Sequence, residues 1–125
     1  MAKKNQNIIQ RNRQQAFLAQ SKLCYYCNQP MWDQDINSFI TQYQVKPTSA
    51  KFLQCTAEHL TARKDGGKNI RTNIVAACKY CNHTRHKSTN ALNPEDYKKR
   101  VRKLLSKNKW HQIVLNPLPA MKALN

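Results

Sequence analysis

Acidic residues are scarce in this 125-residue sequence, which has six Asp and Glu against 22 Lys and Arg. The formal net charge is +16 at pH 7, and a field of that sign attracts polyanions, most often nucleic acid. Long apolar runs are also missing, since none approaches the roughly 20 residues of a membrane-spanning helix. No basic amphipathic helix carries an aromatic face for insertion into lipid. These absences favour a nucleic acid over a membrane as the partner.

Glycine and aromatic residues are rare as well. Only two glycines occur, and Gly66 and Gly67 stand side by side after Asp65. Their position predicts one tight loop with a positive φ angle. Aromatic residues make up 8% of the chain and hydrophobic residues 40%, so the core is modest. A chain of this length often needs a disulfide or a metal ion as a staple.

The N-terminal residues contain no apolar segment of the kind found in a secretory signal. We therefore expect a cytoplasmic protein whose five cysteines bind metal rather than form disulfides. Two Cys-x-x-Cys pairs, Cys24 with Cys27 and Cys78 with Cys81, predict a closed tetrahedral Zn²⁺ site with a structural role. A redox pair, or two free pairs, is the alternative. Cys55 is unpaired and is predicted to be a small buried side chain.

Hydrophobic periodicity and capping residues divide the chain into short elements. Helices are predicted over residues 8–20, 34–43, 79–87 and 94–107. The second helix is capped by Asp33 or Asp35, and the last by Asn93. Two strands, over residues 52–57 and 74–77, form an antiparallel pair joined by the glycine loop.

These elements suggest three parts of the chain. Residues 1–22 form a basic arm or helix, residues 23–108 form a zinc-containing domain that ends in a basic helix, and residues 109–125 form a tail. His111 has no pattern around it and is predicted at the surface.

A group of polar residues lies between and beside the cysteine pairs. It consists of an acidic residue followed by His, the Gly-Gly loop, an Asn that opens the second strand, and Cys-x-x-Cys followed by Asn-x-x-Arg. The residues are Glu58, His59, Gly66, Gly67, Asn73, Asn82 and Arg85. Over about residues 24–88, this combination resembles the HNH endonuclease family. The resemblance implies an α+β fold with a small ββα-metal core (a His-Me finger), a four-cysteine structural zinc site and flanking helices.

The resemblance also implies roles in phosphodiester hydrolysis. His59 would be the general base that activates water, because a neutral imidazole can accept that proton. Asn73 would fix the loop and orient His59 through hydrogen bonds. Glu58 belongs to the same catalytic group.

A catalytic Mg²⁺ or Mn²⁺ would be held by Glu58, Asn82 and His86. Asn82 and His86 are four residues apart and so project from one helix face. Asn82 is a departure, because the family often has His at that position, and this leaves the number of metal ligands open. His83 is the competing ligand.

The expected substrate is double-stranded DNA, which the protein would nick or cut, alone, as a homodimer or within a larger complex. The residues expected to contact nucleic acid are Arg63, Lys64, Lys68 and Arg85, although solvated charge is the alternative for the first three. A zinc module that binds nucleic acid without cleaving it, an RNase, and a protein-interaction zinc domain are the competing interpretations.

Overall fold

The computed structural model describes residues 2–113 and 115. The helices are α1 (Ala2–Ala19), α2 (Ile36–Tyr43), α3 (Pro47–Ala50), α4 (Lys79–His86) and α5 (Pro94–Ser106). The strands are β1 (Cys55–His59) and β2 (Ile74–Cys78), and short 3₁₀ turns cover Lys51–Leu53, Arg63–Asp65 and Arg71–Asn73. The predicted α+β fold is confirmed, since a two-stranded sheet leads directly into a helix, as a ββα-metal core requires.

The two strands are antiparallel, with Cys55 opposite Cys78 and His59 opposite Ile74. The first strand begins three residues later than predicted and ends two residues later. The reason is that residues 47–53 wind into α3 and a 3₁₀ turn. This turn buries Leu53 and leaves Phe52 exposed. The shift brings Glu58 and His59 into the strand itself.

Helix α1 packs across both strands and begins six residues before the predicted start. Its residues Ala16 and Phe17 are buried in the core. The side chain of Gln20, just after the helix, bonds both backbone groups of Ala76, at 2.9 Å to the nitrogen and 2.8 Å to the oxygen. The N-terminal segment is therefore fastened to β2.

Two of the predicted helix caps are present. Asp35 accepts a hydrogen bond from the backbone nitrogen of Ser38 at 3.1 Å, which starts α2. Asn93 accepts one from the nitrogen of Asp96 at 2.9 Å, which starts α5. Such caps satisfy backbone donors that have no partner within the helix.

Both glycines of the loop are required. Gly66 has a φ angle of +90°, which side-chain-bearing residues rarely adopt. A Cβ atom on Gly67 would lie 1.7 Å from the carbonyl oxygen of Thr61. The predicted tight loop is confirmed, and its two ends are held in close contact.

The residues that follow α5 pack onto the core. The Trp110 ring lies edge-on to Tyr80, with the ring centroids 5.2 Å apart, and Ile113 is buried. The backbone nitrogen of Leu115 donates to Gln29 at 2.8 Å. The rest of the predicted tail lies outside the described residues. Within residues 2–113 and 115, no helix has both the length and the apolar character needed to cross a bilayer.

Candidate functional site

The four paired cysteines meet in one cluster. Cys24 and Cys27 come from a knuckle after α1, while Cys78 ends β2 and Cys81 lies in the first turn of α4. All four are buried, and their sulfur atoms lie within 4.8 Å of one another. A tetrahedral Zn²⁺ with bonds of about 2.3 Å places its sulfur ligands about 3.8 Å apart.

The backbone around the cluster donates to sulfur. Cys24 Sγ accepts from the nitrogen atoms of Tyr26, at 3.4 Å, and Cys78, at 3.2 Å. Cys78 Sγ accepts from the nitrogen of Cys81 at 3.4 Å and so caps α4. Such donors favour thiolate over thiol, and the donor set therefore suits a zinc ion.

The titration of Cys27, Cys78 and Cys81 points the same way. Hydrogen bonds from Cys24, Cys78 and Cys81 hold the pKa of Cys27 well below its usual value. The pKa values of Cys78 and Cys81 rise, chiefly through their hydrogen bonds with Cys24 and Cys27. One negative charge thus suppresses ionisation of its neighbours, and a divalent cation removes that repulsion. Cys55 lies apart from the cluster, and burial raises the pKa of its thiol to about 12.

The residues after α5 cover one side of the cluster. Trp110 donates through its indole nitrogen to Cys81 Sγ at 3.3 Å. His111 is partly buried against Tyr80, with the ring centroids 5.3 Å apart. The prediction that His111 lies at the surface is therefore wrong. The aromatic residues that follow α5 pack against the cysteine cluster, and hydrophobic periodicity in the sequence does not reveal this packing.

A second polar centre surrounds Glu58, whose side chain is only 1% exposed. Glu58 Oε2 accepts hydrogen bonds from the Tyr26 hydroxyl at 2.7 Å and from Arg85 Nη1 at 2.9 Å. Glu58 Oε1 lies 2.8 Å from His86 Nε2. A buried carboxylate needs such partners, because an isolated charge in the interior is very costly.

Arg85 is consequently an interior residue. It is 7% exposed, and its Nε and Nη2 atoms both donate to the carbonyl oxygen of Leu92, at 3.2 Å and 3.1 Å. The sequence predicts that Arg85 contacts nucleic acid, whereas in the structure its donors are directed at Glu58 and at the loop before α5. Spacing alone does not distinguish inward from outward charges.

Glu58 Oε1 and His86 Nε2 are within direct hydrogen-bond distance of each other, a spacing that two adjacent ligands of one ion can also have. Adjacent ligands of an octahedral ion with bonds of about 2.1 Å lie about 3.0 Å apart, and the two atoms are 2.8 Å apart. The His86 side chain is 38% exposed and so open to solvent. His83 is exposed on the same helix and does not line the cleft that contains Glu58.

Asn82 lies on the same helix, one turn before His86. Its amide nitrogen donates to Thr56 Oγ1 and to the Ala57 carbonyl oxygen, both at 3.0 Å. These bonds fasten α4 to β1. The remaining polar atom of the amide is its oxygen, which is the ligand type that Mg²⁺ and Mn²⁺ accept.

The ring of His59 is held by a residue that the sequence analysis did not identify. His59 Nε2 lies 2.8 Å from Asn69 Oδ1. The backbone carbonyl of Asn69 in turn accepts from Asn12 of α1 at 3.0 Å. The feature of the sequence that could have indicated Asn69 is its position as a polar residue shortly after the glycine turn.

Asn73 holds the loop rather than the His59 ring. Its Oδ1 accepts from the Thr61 nitrogen at 2.8 Å, and its Nδ2 donates to the carbonyl oxygens of Thr61, at 3.1 Å, and Lys68, at 2.9 Å. The two ends of the loop are thereby clamped together. No hydrogen bond joins Asn73 to the His59 side chain within the part of the chain that the structure describes.

One open cleft of about 360 Å³ collects most of these groups. Its lining includes Glu58, His59, Asn82 and His86, together with the exposed cations Arg63 and Lys64. Lys68 is exposed on the loop but does not line the cleft. The cleft thus combines an imidazole, a carboxylate–imidazole pair and two positive charges.

Comparisons with known proteins give one match. A family model described as HNH endonuclease matches residues 46–88, a segment that includes the whole cleft lining. No match was found among the curated proteins or the solved structures that were compared. Residues 46–88 are therefore similar to the HNH endonuclease family, and the four-cysteine cluster beside this segment could hold zinc.

Proposed function

We propose that this protein is a metal-dependent endonuclease that hydrolyses phosphodiester bonds in double-stranded DNA. The observation that carries the proposal is the shared cleft, which is lined by His59, Glu58, His86 and two exposed cations. Nuclease-type function is supported by the HNH family match at residues 46–88. Catalysis, the DNA substrate and the role of each residue are our inference from the cleft.

His59 acts as the general base. With the side-chain oxygen Oδ1 of Asn69 2.8 Å from Nε2 as an acceptor, the ring proton resides on Nε2 and the lone pair on Nδ1. Nδ1 then accepts a proton from water as that water attacks phosphorus. Asn69 and Asn73 are positioning residues, since one holds the ring and the other closes the loop.

Glu58 and His86 would hold the catalytic Mg²⁺ or Mn²⁺, with the amide oxygen of Asn82 as a further ligand. Such an ion would supply positive charge that neutralises the phosphate and the leaving oxygen. Arg63 and Lys64 in the cleft, and Lys68 beside it, bind neighbouring phosphates and fix the register of the duplex. Zinc at the four cysteines is structural, because no coordination position is left for water.

Because one cleft acts on one strand, we expect a single copy of the protein to nick the duplex. A double-strand break requires two copies. We place the protein in the cytoplasm, where the cysteines stay reduced and available to zinc.

The test is relaxation of supercoiled plasmid by the zinc-loaded full chain, with a chelator of hard divalent ions and then with added Mg²⁺ or Mn²⁺. We expect cleavage only with added metal. His59→Ala should lower the rate by roughly 10²–10⁴-fold, while duplex binding at low salt is retained. The matched control is His83→Ala, because His83 is an exposed histidine outside the cleft, and its rate should equal that of the wild type.

Three outcomes would contradict the proposal. Undiminished cleavage by His59→Ala would remove the base. Binding of DNA without cleavage under every metal condition would indicate a non-catalytic zinc module. Cleavage of RNA in preference to duplex DNA would indicate an RNase.

A further inference from the structure

We propose that Tyr26 is a positioning residue that couples the four-cysteine zinc site to the catalytic metal site through its hydrogen bond to Glu58. The inference rests on the proposed function, because it requires a divalent ion at Glu58 and His86. It adds a route by which the structural ion controls the affinity of the catalytic one.

Tyr26 is placed by the cysteine cluster. It lies between Cys24 and Cys27, and its backbone nitrogen donates to Cys24 Sγ at 3.4 Å. Its backbone oxygen accepts from Arg102 Nε at 3.1 Å. The knuckle that closes around zinc therefore fixes the backbone from which the Tyr26 side chain extends.

The side chain of Tyr26 is packed in the core. The residue is fully buried, and its ring lies edge-on to Tyr97, with centroids 4.8 Å apart. The hydroxyl, a phenol with an ordinary pKa of about 10, is protonated at neutral pH and acts as a donor to Glu58 Oε2 at 2.7 Å.

The hydrogen bond from the Tyr26 hydroxyl determines which oxygen of the Glu58 carboxylate faces the cleft. Oε2 already accepts from Tyr26 and from Arg85, so Oε1, beside His86 Nε2, remains as the metal ligand. Loss of the hydroxyl leaves Oε2 with Arg85 as its donor among the described residues, and the carboxylate gains rotational freedom that metal binding must then remove. Partners of this kind are typically worth 10- to 100-fold in metal affinity.

The experiment measures Mn²⁺ binding by titration calorimetry on the full zinc-loaded chain. Tyr26→Phe should bind Mn²⁺ roughly 10- to 100-fold more weakly than the wild type, with unchanged zinc content. Plasmid cleavage should need more Mn²⁺ but approach the wild-type rate at saturation, which a general loss of structure would not allow. Tyr97→Phe is the control. Its hydroxyl donates to the Cys81 carbonyl at 2.7 Å and makes no bond to Glu58, so its Mn²⁺ affinity should match the wild type.

A second measurement uses the wild type and does not depend on the folding of a variant. Coupling between two sites is reciprocal. Mn²⁺ in the cleft should therefore tighten the binding of Co²⁺ at the four cysteines. Co²⁺ binding is monitored by the thiolate-to-cobalt absorption band. Mn²⁺ itself competes poorly for thiolates.

Each contrary result has a distinct meaning. Three results would overturn the coupling and leave the nuclease proposal standing. They are an equal Mn²⁺ affinity in Tyr26→Phe and the wild type, a loss of Mn²⁺ affinity in Tyr97→Phe as large as that in Tyr26→Phe, and a Co²⁺ affinity that does not change when Mn²⁺ is added. A wild type that binds no Mn²⁺ and cleaves no plasmid would overturn both.

Discussion

The hydrogen bond between Asn69 and His59 links the loop to the proposed chemistry. Asn69 is itself held by Asn12 of α1, at 3.0 Å to its backbone carbonyl. The His59 ring is therefore hydrogen-bonded to Asn69, and the backbone of Asn69 is itself held by α1. A neutral acceptor at Nε2 sets the tautomer without adding a charge that would favour the protonated ring.

Substitution of Asn69 should separate orientation from charge. Asn69→Ala should lose part of the roughly 10²–10⁴-fold contribution of the base, and less than His59→Ala does. Asn69→Asp places a carboxylate beside the ring and favours its protonated form, so the acidic limb of the pH–rate profile should move to higher pH. The measurement is kcat/KM for plasmid nicking against pH. An acidic limb that coincides with that of the wild type in Asn69→Asp would contradict this role.

Residue-level prediction from the sequence worked where covalent spacing fixes the outcome. Two cysteines separated by two residues must share a knuckle, and the cluster of four followed from that spacing. Tyr26, Asn69 and Arg85 acquire their roles from partners 10 to 32 positions away in the chain. No spacing rule specifies such partners, and the buried Glu58 becomes evident only once α4 is packed against β1.

The outer edge of β2 is completed by a side chain instead of a third strand. Gln20 donates to and accepts from Ala76, and Ala76 is fully buried. The side-chain amide of Gln20 thus supplies hydrogen-bond partners that a neighbouring strand would otherwise provide. This arrangement keeps buried backbone groups satisfied at the edge of a sheet of only two strands.

Gln20→Ala should therefore destabilise the protein by about 1–3 kcal/mol, because the buried nitrogen of Ala76 loses its partner. The measurement is the free energy of unfolding from urea denaturation of the zinc-loaded chain. Gln15→Ala is the control, since Gln15 is exposed on α1 and its loss should change stability little. Equal unfolding curves for Gln20→Ala and the wild type would contradict the proposed role of this amide.

The elements themselves were predicted well where caps mark their ends. Asn93 with Pro94 fixed the start of α5, and Asp35 fixed the start of α2. The start of β1 was misplaced because Phe52 and Leu53, two apolar residues predicted to begin the strand, lie in a 3₁₀ turn that continues the helix that Pro47 begins. The length of α1 was underestimated, because its first turns are polar and show no apolar face.

The charge of the whole molecule, +16, sets the expected mode of DNA binding. Charge of this size makes affinity depend steeply on salt, because each phosphate contact releases a counterion. Most of the basic side chains whose exposure the structure describes are exposed, including Arg63 and Lys64 at the cleft. The overall charge predicts attraction to a polyanion such as DNA, whereas in the proposed function the cleft decides where the duplex is held.

The double substitution Arg63→Ala, Lys64→Ala should reduce the slope of log K against log salt by about two, since each contact contributes about one. The measurement is duplex affinity at several salt concentrations. Lys99→Ala with Lys103→Ala removes the same charge from α5, where both residues are exposed and away from the cleft, and should alter the slope less. Equal slopes for the two double variants would show that the cleft cations are not phosphate contacts.

The position of the two metals tests the account most directly. Crystals of the full chain with Mn²⁺ can be measured by anomalous diffraction at the zinc and manganese edges. We expect a zinc peak among the four cysteine sulfurs and one manganese peak bonded to Glu58 Oε1 and His86, on the side that faces the His59 ring. Manganese absent from this cleft at saturating concentration, or bound out of reach of His59, would contradict the account.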